Sequence, residues 1–489
     1  MFTETKSGKV RGYKEKDMIV FKGIPYARAP VGALRFKPPV APEAWDGVFE
    51  AKFYGNRAIQ HQQEEGYVYS EDCLNLNVWT PGIDGKKRPV IVYIHGGGHI
   101  EGSNSDEFSA GHRLIRDKDA VMVAPNYRLG AFGYLYLGDR LGEEYAESGN
   151  CGLLDQLFAL QWVRDNIAAF GGDPENVTLM GQSAGGKSAA ALMVTPRAQG
   201  LFHKVIIQSG GIQCIRDRAT AAALASLIVD ALDLGENGMQ QLLSLSAEEL
   251  LNGQIKAYEH RLPVHLFGPV VDGHVLEEPP ESFISTGRLA GIPVLIGYNR
   301  EELGQADPHE AFNEAEVPDK LLYSYGYNSG YLLGQYRELR ETMSPGSAFA
   351  TLQTRYMYGN ASLSLTQLLA DYGSKVWCYR WDFSGHGVPD HSSEMAYLFG
   401  VDNIEKAEGY VPEHAYMSRL MHETWMTFIL TGDPNNSLLP HWPACHSGTT
   451  GQRLLLDSYP YVEAIDLHAY DKLFPRQVIT LHDPMAGRR

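Results

Sequence analysis

Positive charge is in short supply in this chain. Its 489 residues carry 42 Lys and Arg against 59 Asp and Glu, a formal net charge of −17. Nucleic-acid binding needs a basic footprint that neutralises phosphates, and docking on anionic lipid needs a basic face; this balance argues against both. Long apolar stretches are missing too. No run of about 18 apolar residues occurs, so no membrane-spanning helix is expected. The start, Met1-Phe2-Thr3-Glu4-Thr5-Lys6, has neither the basic opening nor the apolar stretch of a secretory signal. Cysteine is sparse: Cys73, Cys151, Cys214, Cys378 and Cys445 are odd in number, scattered, and without C-x-x-C or metal-ligand spacing. Reduced thiols and a cytoplasmic location are the simplest expectation.

What remains is ordinary globular material, 44% hydrophobic and 21% charged. Short apolar runs bounded by Gly, Asn or Pro recur: Val90–Ile94, Ala120–Ala124, Val177–Met180, Val205–Ile207 and Pro293–Ile296, with Val376–Trp381 and Leu454–Leu456 further on. Runs of this length read as strands buried on both faces. Leu153, Leu157, Leu160, Val163 and Ile167 recur every three or four residues, the spacing of a helix. Alternating strands and helices predict an α/β fold with a mostly parallel central sheet and helices on both faces. Two stretches, near 212–290 and 304–374, break the rhythm with helical patterns and read as excursions that roof an active site. No Gly/Ser linker or repeat separates them, so residues 1–489 are expected to form one large domain.

The most informative segment is Val177-Thr178-Leu179-Met180-Gly181-Gln182-Ser183-Ala184-Gly185-Gly186, followed by the small residues Ser188–Ala191. A buried strand running through G-x-S-x-G into a helix is the setting of a nucleophilic serine. The tight turn strains the serine backbone, and larger neighbours would clash with the crossing helix. The hydroxyl then stands at the positive end of the helix dipole. Such a nucleophile needs donors aimed at the oxyanion of a tetrahedral intermediate. His95-Gly96-Gly97-Gly98 directly follows a buried strand, and its glycines let backbone N–H groups converge without obstruction. Gly97, Gly98 and Ala184 are the expected donors. The loop has neither a G-K-[ST] ending nor a G-x-G-x-x-G pattern, which disfavours phosphate or dinucleotide binding.

These residues resemble the type-B carboxylesterases, the family that includes bacterial para-nitrobenzyl esterases and the cholinesterases. Phe170–Val177 running into Gly181–Gly185 matches the family's active-site signature, and Ser70–Val78 matches its second. Supporting matches include Gly23–Ala27, Asn126–Gly130, Gly152–Gln156, Pro269–Gly273 and Trp425 through Pro434, so the likeness covers nearly the whole chain. It implies the α/β-hydrolase fold, with Glu302 as the acid and His391 as the base beside Ser183, in the chain order Ser, acid, His. His386 shares the loop with His391; the family pattern selects His391. The resemblance also implies ion pairs Arg35–Glu71 and Arg128–Asp155, and a supporting serine at Ser209.

The chain departs from the family in several places. Gln182 stands where Glu is usual, Leu303 where Gly is usual, and His99 where an aromatic is usual. Cys73 has no upstream cysteine for the family's N-terminal disulfide loop. The Trp of the cholinesterase cation site is not recognisable in 55–70. His99 and Lys187 read either as polar groups at the site mouth or as structurally satisfied side chains.

The resemblance implies a serine esterase working through an acyl-enzyme on small-molecule esters, without metal or organic cofactor. It sets no oligomeric state. Amide, lactone or carbamate hydrolysis on the same triad is the alternative within enzymes. A non-catalytic adhesion module is the alternative outside them, and the intact Ser183, Glu302 and His391 speak against it.

Overall fold

A computed structural model describes residues 1–258, 266–304, 312–325, 328–385, 387–400, 412–448 and 450–467. The fold is α/β with a mostly parallel central sheet. The chain divides into two compact units: Met1–Val205 with Ile215–Pro279, and Ile206–Cys214 with Pro280–Arg489.

Among the described residues, six strands of the central sheet belong to the first unit: β1 (Tyr13–Glu15), β2 (Met18–Pro25), β3 (Asn75–Thr80), β4 (Arg88–Ile94), β5 (Val121–Pro125) and β6 (Gly172–Gln182). They lie in the order β6-β4-β5-β3-β2-β1. β4 pairs in parallel with β5 and β6, whereas β3, β2 and β1 continue the sheet antiparallel. All residues of β3 and β5 are buried. Sequestering each of their large aliphatic side chains contributes about 1.5–3 kcal/mol against chain entropy. A separate three-stranded sheet holds Phe2–Thr5, Gly8–Arg11 and Val48–Glu50.

Helix α1 (Cys151–Asn166) has twelve buried residues, among them Leu153, Leu157, Leu160 and Val163. Helix α2 (Ala184–Met193) is buried throughout; its Gly and Ala content lets it run against backbone. The two expected ion pairs lie in this unit. Arg35 meets both oxygens of Glu71, and Arg128 grips Asp155 through Nε at 2.8 Å and a terminal nitrogen at 2.7 Å. Arg128 and Asp155 are buried, so losing either partner would strand the other's charge.

β7 (Lys204–Gln208) carries the chain from the first unit into the second. There, β8 (Pro293–Asn299), β9 (Lys375–Trp381), β10 (Thr450–Leu456) and β11 (Tyr461–Asp466) stand in the order β11-β10-β9-β8. The pairs β8–β9 and β9–β10 are parallel, and β10–β11 is antiparallel.

The interrupting stretches are helical. They contain Arg218–Ala231 and Ala247–Tyr258 in the first, and Val317–Tyr325, α3 (Ser329–Arg340), α4 (Pro345–Thr354) and α5 (Asn360–Asp371) in the second. The first also holds a short parallel bridge, Arg216–Asp217 with Val270–Val271, which no apolar run announces. The second unit also holds helices α6 (Ser393–Phe399) and α7 (Pro412–Thr431), and α7 ends on Gly432 at φ 80°. Among the described residues no helix is long and apolar enough to cross a membrane.

Candidate active site

Ser183 sits between β6 and α2 with φ 55° and ψ −121°, outside the regions that side-chain-bearing residues favour. Its neighbours show what holds it there. A methyl on Gly185 would stand 2.0 Å from the Ile94 carbonyl oxygen and 2.9 Å from that of His95. One on Gly181 would stand 2.3 Å from the Gly185 backbone. Strand, turn and helix therefore touch through bare backbone, and the strained serine is overdetermined by packing. The Lys187 N–H donates to the Ser183 carbonyl at 2.9 Å, which starts the helix.

The glycine loop after β4 runs past this turn: a methyl on Gly96 would stand 3.3 Å from Ser183 Cβ. Gly97, Gly98 and His99 all have positive φ, at 100°, 62° and 61°. Gly97 admits no side chain, because a methyl would fall 2.1 Å from the Glu101 carbonyl oxygen. Among the described residues, the N–H groups of Gly97, Gly98 and Ala184 donate to no backbone carbonyl. His95 anchors the loop. Its Nδ1 donates to the Gly96 carbonyl at 2.9 Å, and its ring stacks on Tyr127 at 4.4 Å. Tyr127 in turn donates its hydroxyl to the His95 carbonyl at 2.8 Å. Burial lowers the His95 pKa to about 4, so this ring is neutral at pH 7.

His99 and Lys187 are both buried. His99 Nε2 lies 3.1 Å from the Ser188 hydroxyl, and its ring leans on Tyr134. Burial first, then the charges of Lys187 and Arg216, bring its pKa down to about 3. A neutral, hydrogen-bonded imidazole thus replaces the aromatic expected at this position.

In the second unit, Glu302 is buried in the loop after β8. Its Oε2 accepts from His391 Nδ1 at 2.5 Å. Its Oε1 accepts from the Ser209 hydroxyl at 2.6 Å and from the Asn299 N–H at 2.8 Å. The His391 N–H also donates to the Glu302 carbonyl at 2.9 Å, so the two loops are tied by backbone as well as side chain. With Nδ1–H committed to Glu302, the neutral ring carries its lone pair on Nε2. Neighbouring Glu301 turns away and pairs with Arg300 at 3.4 Å. Leu303, the departure from glycine, is 43% exposed and leaves the Glu302–His391 contact intact. Ser209 is itself held at φ 49°, its N–H on the Gly297 carbonyl. His386 lies outside the described residues.

A second carboxyl was not singled out by the sequence. Glu394, fully buried in the first turn of α6, accepts from Asn299 Nδ2 at 2.6 Å and from Gln208 Nε2 at 3.1 Å. Gln208 is oriented by Trp425, whose indole N–H donates to its carbonyl oxygen at 3.2 Å. Burial and the nearby charge of Glu302 push the Glu394 pKa up to about 7, with the Asn299 hydrogen bond acting against them. Asn299 thus links the two carboxyls, through its N–H to one and its side-chain amide to the other. The only early signal was the short spacing from His391 to Glu394, which carries no meaning without the fold. Among the described residues, no group of three or more His, Cys, Asp or Glu could hold a metal ion.

Comparison with known proteins adds independent findings. Residues 1–466 match the Carboxylesterase family. The chain is 37% identical to the para-nitrobenzyl esterase of Bacillus subtilis (strain 168), over 96% of this chain and 98% of that protein. It is 32% identical to a phenmedipham hydrolase of Pseudarthrobacter oxydans, over 90% and 92% respectively. Among solved structures, a Geobacillus stearothermophilus carboxylesterase, EST55, superposes with a TM-score of 0.85 at 36% identity, covering 97% of this chain and 99% of that one.

Proposed function

The chain belongs to the carboxylesterase family and is a carboxylic ester hydrolase; from that premise we propose that Ser183, His391 and Glu302 perform the reaction, with the N–H groups of Gly97, Gly98 and Ala184 as the oxyanion hole. His391 Nε2 accepts the Ser183 proton as Oγ attacks the ester carbonyl, and the three N–H groups receive the charge that develops on oxygen. The tetrahedral intermediate collapses, the alcohol leaves with the proton from His391, and Ser183 keeps the acyl group. Water then repeats the sequence, deprotonated by His391, and releases the acid. Glu302 holds the tautomer that puts the lone pair on Nε2 and stabilises the imidazolium in both steps. Ser209 fixes the carboxylate by occupying its other oxygen.

The observation that carries this reading is the 2.5 Å contact between Glu302 and His391 Nδ1, made by a buried carboxylate whose second oxygen is already held by two donors. The substrate is a small ester. The net charge of −17 disfavours nucleic acid and anionic membrane as partners. The five cysteines, none in a disulfide, support a cytoplasmic location. The deciding experiment is covalent labelling with a fluorophosphonate, followed by peptide mapping and assay on a short-chain p-nitrophenyl ester. Label on Ser183 with loss of turnover is expected. Label on another serine, with turnover intact in Ser183→Ala, would overturn the assignment.

A further inference from the structure

Helices α4 and α5 are joined by a single wide turn, Arg355–Gly359, with π-helical geometry. A turn of this kind departs from the α-helical register, and it is frequent at functional sites. Three contacts show what the junction touches. Thr354 Oγ1 accepts from the Leu303 N–H at 3.2 Å, one residue beyond Glu302. Gly359 fits under Tyr298, since a methyl there would stand 3.3 Å from the tyrosine ring. Tyr358, between them and buried, places its ring centroid 4.9 Å from that of His391 with the planes tilted by 44°. The turn is braced from outside, because Gln213 Nε2 donates to the Met357 carbonyl at 2.6 Å.

The imidazole of a histidine rotates about a soft torsion. One hydrogen bond from Nδ1 fixes an edge of the ring and leaves its plane free to tilt. An aromatic ring in contact with the imidazole removes that freedom. The Tyr358 phenol remains neutral, because burial and the charge of Glu302 both push its pKa up, so no phenolate charge competes with Glu302 for the imidazole.

We propose that Tyr358, displayed by the π turn, is a positioning residue that holds the His391 imidazole in the plane where Nδ1 meets Glu302. This rests on the reading of His391 as the base. The test measures kcat and KM on a short-chain p-nitrophenyl ester for Tyr358→Phe, Tyr358→Leu and Tyr358→Ala, each also combined with Glu302→Gln. Tyr358→Ala and Tyr358→Leu are expected to lose about tenfold in kcat with KM little changed, and Tyr358→Phe to stay within about twofold of the parent. In the Glu302→Gln background, where the ring is already released, Tyr358→Leu should cost little more; a merely structural role would add its full loss there. Equal losses in Phe and Leu variants, or additive losses in the double variants, would overturn the proposal. Tyr358→Leu preserves bulk, so the comparison with Phe stands even if the Ala variant fails to fold. His391→Ala serves as the separate check. Full turnover in that variant would remove the base assignment itself, whereas an inactive His391→Ala beside a native-like Tyr358→Leu would remove only the role of Tyr358.

Discussion

Glu302 and His391 meet twice, at 2.5 Å between carboxylate and imidazole and at 2.9 Å between the Glu302 carbonyl and the His391 N–H. Glu301 is one residue away and pairs with Arg300 instead. Glu302→Gln should therefore lower turnover by a factor on the order of 10⁴, the scale reached when the equivalent acid is neutralised in a serine triad. Glu301→Gln should stay within a few-fold of the parent. Steady-state kinetics on a p-nitrophenyl ester separates them, and similar losses in both would contradict the assignment of Glu302 as the acid.

Ser183→Ala should abolish measurable turnover and leave thermal unfolding close to the parent's, because its hydroxyl contributes little packing. Alanine at φ 55° retains the backbone strain that serine already bears. A drop of many degrees in Tm would show that the hydroxyl has a structural duty.

Two glycine substitutions should move stability in opposite directions. Gly185→Ala drives a methyl to 2.0 Å from the Ile94 carbonyl, and the forced backbone shift should cost about 1–3 kcal/mol or more and reduce kcat. In α3, Gly334 has open space where a methyl would stand. Gly334→Ala should add about 0.5–1 kcal/mol through helix propensity and a less flexible unfolded chain. Urea unfolding of the two variants reads both signs.

The raised pKa of Glu394 has a calculable effect on stability. The folded protein holds this proton up to about pH 7, whereas the unfolded chain releases it near the ordinary value of about 4.3. Between those limits the native state binds more protons than the unfolded state, so this group's contribution is full at low pH and lost as pH rises through 7. The loss is on the order of 3 kcal/mol. Glu394→Gln should remove that slope. At pH 5 it should also be less stable than the parent, because its NH₂ faces an amide donor of Asn299 or Gln208. The measurement is urea unfolding of both proteins at pH 5 and pH 8; identical changes in the two proteins would refute the assignment.

Much of this architecture was legible beforehand because burial on two faces leaves an apolar run. Val90–Ile94 lies in β4, Val177–Met180 in β6 and Pro293–Ile296 in β8. Strands with one solvated side leave no such run: β1 and β11 are mostly half-buried or exposed, and no apolar run marks them. The strained turn at Ser183 was legible because only small neighbours permit it: a methyl on Gly181 or Gly185 would run into backbone at 2.3 Å or 2.0 Å. The polar interior was harder to see. Glu394, Asn299 and Gln208 are common surface residues in composition, and only the fold brings them together in a buried network. His99 and Lys187, whose residue types left open a place at the site mouth or a structural role, are both buried. The wide turn at Arg355–Gly359 is a one-residue shift of helical phase, too small to show in a pattern of apolar spacings.

All five cysteines are buried and none is in a disulfide. Burial pushes Cys151 and Cys378 up to about 12, and raises Cys73 and Cys445 as well. Since the thiolate is the reactive form, a maleimide meets these groups only after the chain has opened. The cysteines thus give the enzyme a built-in gauge of its own history. Activity lost while they stay silent marks damage confined to the site; activity lost as they take up dye marks a molecule that has come apart.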